Sequence, residues 1–235
     1  MQPARIPELL APFLAGSPAQ PAAARPQLYQ HISTYIDLLL HWNARINLTA
    51  IRDPEQIVIR HFGESLFTAR SLFPAPENSG PRTSLADLGS GAGFPGLPIK
   101  LLIPSISLTL IESNHKKATF LKEVCRALAL DDVKIETARA EILPPATFDV
   151  LTLRAVERLS EILPSAARLL RPSGRLALLV SSAQFAAIRT SLPNFYWSDP
   201  SPVPCSESRM LLIGSMEPSP KRTNLITNQH PNQVV

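Results

Sequence analysis

The chain has 235 residues, 45% of them apolar, and a net charge of +4, enough to bury one substantial core plus an appendage. No stretch approaches the roughly 18 apolar residues of a membrane span, and a proline-broken N-terminus carrying Arg5 and Glu8 makes a poor secretory signal. Cys125 and Cys205 lack metal-ligand spacing, so reduced thiols, no metal and a cytoplasmic protein are expected. The basic excess lies beyond residue 80, which permits a polyanionic partner without requiring one.

Taken in chain order, residues 1–24 are rich in Ala and Pro, with a short helix predicted over Ile6 to Leu14. Leu28, Ile32, Tyr35, Leu39 and Trp42 recur at helical spacing and predict a helix over Gln27 to Asn43. Asp53 and Pro54 form an N-cap and first-turn pair that opens a second helical stretch through Ile57, Phe62 and Leu66. Pro74 to Pro81 reads as a linker. From Ser84 onward, strands predicted at 84–88, 107–112, 133–137, 148–153, 175–181, 194–198 and 209–215 alternate with helices near 96–102, 114–129, 160–170 and 183–191. Alternation of this kind gives a mostly parallel sheet with helices on both faces and a ligand beyond the carboxyl ends of its strands. No convincing helix joins the last two strands, so one of them should run antiparallel. The organisation expected is a helical extension over 1–80, an α/β domain over 81–215 and a disordered tail over 216–235.

The richest segment is LADLGSGAGFPGLP, residues 85–98. A strand ending at Asp87 runs into a turn holding Gly89, Gly91, Gly93 and Gly96, and glycine lets a cofactor approach bare backbone there. Gly91, Gly93 and Gly96 satisfy the spacing of a dinucleotide fingerprint. The leading Asp87 and the crowding Pro95 and Pro98 suit S-adenosylmethionine better, with the carboxylate meeting either the cofactor's ammonium or the turn amides. Glu112 ends the second strand, where an acid can accept both hydrogen bonds of a ribose diol, and Ala140 and Glu141 follow the third, where an adenine edge can lie.

Together with HWNARINLTA (41–50), IRHFGESL (59–66), DLGSGAGFPGLPIK (87–100), ESNHKKATFL (112–121) and LRAV (153–156), this sequence resembles the ribosomal RNA small subunit methyltransferase G family, also called glucose-inhibited division protein B, from about residue 28 to 215. The resemblance implies an α/β, Rossmann-like class I S-adenosylmethionine-dependent methyltransferase with a mostly parallel seven-stranded sheet and an N-terminal helical extension. The implied reaction methylates N7 of a guanine in the 530-loop region of 16S rRNA. Its cofactor contacts fall on Gly89, Phe94, Ala140, Glu141 and Arg154. Glu112 stands where members more often carry Asp, Val180 where many carry Lys, and a Lys common after Arg209 is missing. The partner implied is 16S rRNA or the 30S subunit, with no DNA or membrane, and the enzyme is expected to be a monomer.

Guanine N7 has an in-plane lone pair and no proton, so its methylation needs alignment rather than a base. LRAV follows the fourth strand, in place of the tetrapeptide used on exocyclic amines and without a nucleophilic cysteine. Arg154 is read as the catalytic residue, with an ion pair to Glu141 or Glu157 as the structural alternative; Arg154→Ala is expected to leave the fold intact and slow transfer about a hundredfold. Asn47, Arg52, Arg60, His61, Arg139 and Arg209 are candidates for RNA contact, with Glu64 and Ser65 extending a polar face beside Arg60. His61 reads either as an RNA contact or as an interior histidine. Trp42 and Phe62 read either as base-stacking groups or as core. The competing functions are methylation of another acceptor, a cofactor-binding ribosome-assembly factor without turnover, and an NAD-dependent oxidoreductase, for which no hydride-transfer residues are found.

Overall fold

A computed structural model describes residues 3–15, 25–74, 82–154 and 159–216. Helix α1 (Ile6–Leu14) and helix α2 (Arg25–Asn43) lead into a rod made of α3 (Pro54–Ile57), a π-helical turn (Val58–Gly63) and α4 (Glu64–Leu72). The rod starts as its sequence predicts: Asp53 accepts the Gln56 N–H at 2.8 Å, and Pro54 occupies the first turn, where its missing N–H costs nothing. The π turn widens the helix, and every residue from His61 to Leu66 is buried. Gly63 makes this seat possible, because a Cβ there would lie 2.6 Å from Cε2 of Phe13, whose ring rests on the bare backbone.

The sheet is built from β1 (Ser84–Leu88), β2 (Ser107–Ile111), β3 (Val133–Glu136), β4 (Phe148–Arg154), β5 (Leu170–Ser181), β6 (Tyr196–Trp197), β7 (Ser201–Pro202) and β8 (Arg209–Ser215). Helices α5 (Gly96–Leu102), α6 (His115–Ala127), α7 (Leu159–Leu169) and α8 (Phe185–Ser191) connect them. The order is β3-β2-β1-β4-β5-β8-β6, with β1 to β5 parallel and β8 antiparallel to β5. Thus the antiparallel strand foreseen near the C-terminus is β8. The outer position beside β8, expected to hold a strand over 194–198, is divided between two-residue β6 and β7. Pro193, Pro200, Pro202 and Pro204 crowd that edge, and proline brings no N–H to a ladder. β5 starts earlier than expected, at Leu170, with a register shift before Arg175.

Side chains alternate between two cores, as a pleated sheet covered on both faces requires. Leu85, Leu108, Leu110, Val150, Ala177 and Leu179 face α1, α2, α4, α5 and α6, while Ala86, Ile111, Leu151, Leu153, Leu176 and Leu178 face α7 and α8. The N-terminal helices therefore share one continuous core with the sheet. Trp42 and Phe62 belong to that core: Phe62 is fully buried, and Trp42 packs edgewise on Phe120 while donating to Glu123. The linker over 75–81 and the tail beyond Met216 lie outside the described residues. Among the described residues no helix is long and apolar enough to cross a membrane.

Candidate active site

The turn after β1 is fastened from three sides. The Gly89 and Ser90 N–H groups donate to the Ile111 carbonyl at the end of β2, at 2.9 and 3.1 Å. The Gly91 N–H donates to Glu112 Oε2 at 2.8 Å. Beneath the turn, Asp87 accepts the Gly96 N–H at 3.1 Å and the Thr152 hydroxyl at 2.8 Å. Of the two roles open to Asp87 from sequence, the geometry shows the turn amide. Its carboxylate is 1% exposed, and burial pushes its pKa up to about 6 despite those hydrogen bonds. Gly89, Gly91 and Gly93 all have positive φ, and a Cβ on Gly93 would strike the Tyr35 hydroxyl and lie 2.6 Å from Leu97 Cδ1. Tyr35 in turn donates to the Ala92 carbonyl, so α2 holds the turn from outside.

Two clefts meet at Gly89. The first, about 290 Å³, is lined by Leu88, Gly89, Glu112, Arg139, Ala140 and Glu141 among others. Glu112 accepts the Asn114 N–H at 2.8 Å through its other oxygen, and each carboxylate oxygen retains a lone pair for a ligand hydroxyl. The 140–141 corner is held by Arg168 of α7, which donates to the carbonyls of Ala140 and Glu141 at 2.9 and 3.1 Å. Arg139, expected at the RNA, lines this first cleft instead.

The second cleft, about 280 Å³, is lined by Leu48, Thr49, His61, Gly89, Gly91, Phe94, Lys117 and Arg154 among others. Phe94 stacks against Tyr35 at 5.3 Å and His61 at 4.7 Å between ring centroids. Arg154, whose side chain is 8% exposed, donates through Nη2 to the Arg60 carbonyl at 2.7 Å and meets His61 Nδ1 at 2.8 Å. Arginine has no acceptor, so His61 Nδ1 carries the lone pair and its proton sits on Nε2. The imidazole is neutral, with burial and the facing guanidinium depressing its pKa to about 3. His61 is thus the interior histidine of the two alternatives, yet its ring edge forms part of the cleft wall.

The counterion of Arg154 is Glu64, 3.3 Å away and 1% exposed. Glu64 also pairs with Arg60 at 3.2 Å and approaches Arg209 at 3.7 Å. This corrects the expected partners: Glu141 is exposed beside the other cleft, and Glu157 lies outside the described residues. The cause is strand parity, because Arg154 shares a side of β4 with Val150, whose neighbours are the N-terminal helices. The polar face expected from Glu64 and Ser65 is likewise turned inward. Burial lowers the Arg154 pKa to about 10, and its Nη1 is buried without a partner among the described residues.

Asn47 and Arg52 are exposed and line neither cleft, and Arg60 and Arg209 surround Glu64. The residue that shapes the loop is Asn43, 4% exposed, whose Oδ1 accepts the N–H groups of Leu48 and Thr49 at 2.9 and 3.0 Å while its Nδ2 donates to the Thr49 carbonyl at 2.9 Å. Sequence reasoning missed Asn43, Thr49, Lys117 and the pairing of Glu64. Asn43, Thr49 and Lys117 lie inside the family-like segments 41–50 and 112–121, and the pairing of Glu64 is signalled by Arg60 and Glu64 standing four apart on one helix. Val180 packs into the apolar core beneath α7 and α8. A cavity of about 400 Å³ also lies beside Gln27, His31, Lys100 and Asp131. It adjoins the loops leading into β2 and β3, at the opposite ends of the strands from the glycine turn.

A family model described as rRNA small subunit methyltransferase G matches residues 28–195. The chain belongs to the rRNA small subunit methyltransferase G family. Among curated relatives, the protein of that name from Xylella fastidiosa (strain 9a5c) is 45% identical over 143 residues, covering 60% of this chain and 64% of the relative. That from Stenotrophomonas maltophilia (strain K279a) is 42% identical over 175 residues, covering 74% and 76%. The matched part thus spans just under two thirds of the first of these relatives. Solved structures with the same fold include a ribosomal protein L11 methylase from Lactobacillus delbrueckii subsp. bulgaricus (TM-score 0.55, 14% identity, 67% of this chain and 78% of that one). Another is TYW2 of M. jannaschii in complex with AdoMet (TM-score 0.53, 13% identity, 73% and 77%). The family match runs through the second cleft and both acids of the first.

Proposed function

We propose that the chain transfers a methyl group from S-adenosylmethionine to N7 of a guanine in the 530-loop region of 16S rRNA. The observation that carries this reading is the second cleft. Among its described lining residues there is no carboxylate and no thiol, and its one histidine is neutral, with Nδ1 engaged by Arg154 and Nε2 by Thr49. A wall without a free base suits an acceptor that has no proton to lose, and guanine N7 is one.

The first cleft fits the cofactor. Glu112 offers spare lone pairs to a ribose diol, the Ala140–Glu141 corner lies opposite, and the left-handed glycine turn leaves backbone uncovered where the two clefts join. Arg154 lines the second cleft, and its Nη1 is buried without a partner among the described residues. Bound there, S-adenosylmethionine would supply a sulfonium methyl. The protein's part is to orient and desolvate: Phe94 and His61 form an apolar, neutral wall, while Lys117 and Arg154 add positive charge that favours a phosphate backbone. Arg60 and Arg209, both partly exposed around Glu64, extend that charge outward.

The test incubates the protein and labelled cofactor with 30S subunits, free 16S rRNA and total protein, then maps product by cleavage at 7-methylguanosine. Label on the small-subunit RNA at one guanine is expected. Label confined to protein or small molecules, or cofactor binding without transfer, refutes the reading.

A further inference from the structure

The loop between α2 and α3 holds a hydroxyl whose hydrogen-bonding direction is fixed by its neighbours. Arg154 Nη2 donates to His61 Nδ1, which leaves His61 Nε2 as a donor. Nε2 lies 2.7 Å from Thr49 Oγ1, so the hydroxyl oxygen accepts that bond. The same oxygen accepts the Ile51 N–H at 3.1 Å. A hydroxyl has two lone pairs and one proton. Both lone pairs of Thr49 are thus engaged, and none of its described hydrogen bonds uses the proton. Asn43 grips both the N–H and the carbonyl of Thr49, so the loop cannot readily turn the group away from the cleft it lines with Phe94 and Arg154.

Ordinarily a threonine hydroxyl is a poor discriminator, because it donates or accepts as its partner demands. Here the chain from Arg154 through His61 makes it a donor only. On the purine edge that carries N7, guanine presents the O6 acceptor and adenine presents the N6 amino donor. A donor-only group beside N7 therefore favours guanine and meets adenine donor to donor. We propose that Thr49 is the specificity-determining residue for the acceptor base, donating its hydroxyl proton to O6 of the guanine whose N7 is methylated. This rests on the reading given under Proposed function and extends it from the reacting atom to the choice of base. Arg154 and His61 act here as positioning residues, since they set the direction of the Thr49 hydroxyl.

The experiment compares 16S rRNA carrying guanine or 2-aminopurine at the target position, the latter keeping N7 and lacking O6. The enzymes are the wild-type chain, Thr49→Val and Thr49→Ser, with N7 product mapped in each case. The wild-type kcat/KM should fall about tenfold on 2-aminopurine, the worth of one neutral hydrogen bond. Thr49→Val should fall as far on guanine and no further on 2-aminopurine, so that its base preference collapses to near one, while Thr49→Ser keeps the preference. A wild-type enzyme that methylates both bases equally overturns the proposal without recourse to any variant. An undiminished preference in folded Thr49→Val overturns it as well, because a merely structural role would slow both substrates alike. Transfer to another atom, or to no RNA at all, overturns the proposed function itself and is distinguished by the product map.

Discussion

Replacing Glu64 by Gln tests whether the core of the site is held electrostatically. Glu64 is 1% exposed and lies 3.3 Å from Arg154, itself 8% exposed, while Arg60 and Arg209 keep 40% and 23% of their surface in solvent. Two unit charges at that separation attract by about 5 kcal/mol at an effective dielectric constant near 20. Breaking a buried pair by removing one partner typically costs 3–5 kcal/mol, because the other charge stays desolvated and uncompensated. Arg60 and Arg209 can turn to water and recover hydration, whereas Arg154 cannot, so the loss should fall on the Glu64–Arg154 pair. Glu64→Gln is therefore expected to lower unfolding stability by about 3–5 kcal/mol. At a urea slope of roughly 2–3 kcal/mol per molar, the midpoint should drop by roughly 1–2.5 M. Glu64→Gln combined with Arg154→Met should restore most of that loss, since a neutral replacement of the whole pair leaves no orphan charge. A Glu64→Gln midpoint within about 0.3 M of wild type, or a double variant as unstable as the single one, would refute the reasoning.

The same pair changes what is expected of Arg154→Ala, which the sequence alone treats as a purely catalytic lesion: it should also lose stability, by about 3 kcal/mol, alongside its hundredfold loss of transfer. Urea unfolding and turnover measured on one preparation separate the two effects. Gly93→Ala forces a side chain into a φ of +86° and against Tyr35, and should cost more than about 2 kcal/mol in thermal unfolding while abolishing cofactor binding by calorimetry. Two buried groups give opposing pH dependences. His61 has a folded pKa of about 3, below its unfolded value of 6.5, so its contribution is present above pH 6.5 and is lost as pH falls. Asp87 is raised to about 6 from 3.8, so its carboxylate costs stability as pH rises through that window. Removing the second slope with Asp87→Asn should expose the first: relative to wild type, the variant's stability should decline by about 2 kcal/mol between pH 6 and pH 4. Equal pH profiles for the two proteins would contradict the Asp87 assignment, and an Asp87→Asn variant whose own stability does not fall between pH 6 and pH 4 would contradict the His61 assignment.

Much of the fold is legible without coordinates, because it follows from local periodicity. Strand-helix alternation after Ser84, the Asp53–Pro54 helix start and the D-x-G-x-G-x-G turn each depend on residues close together in the chain, and each appears where its pattern placed it. Glu112, Ala140 and Glu141 reach one cleft for the same reason, since the ends of adjacent parallel strands lie side by side. The broken edge after Pro193 shows where periodicity misleads: an apolar run there reads as a strand, but the prolines around it leave too few N–H groups for a continuous ladder.

The partners of the buried charges are a different matter. Whether Arg154 meets Glu141, Glu157 or Glu64 depends on which face of β4 it occupies and which helices cover that face, and the chosen pair is ninety residues apart in sequence. The inward turn of Glu64 and His61 depends on a π-helical turn seated on Phe13, and the placement of Thr49 on a side chain at the end of α2. Sequence by itself determined the parallel strands with their helices, the glycine turn and the family, because those are written in short-range pattern. Tertiary packing alone decided charge pairing, the histidine tautomer and the direction of one hydroxyl, because hydrogen-bond satisfaction inside a core is a property of neighbours in space.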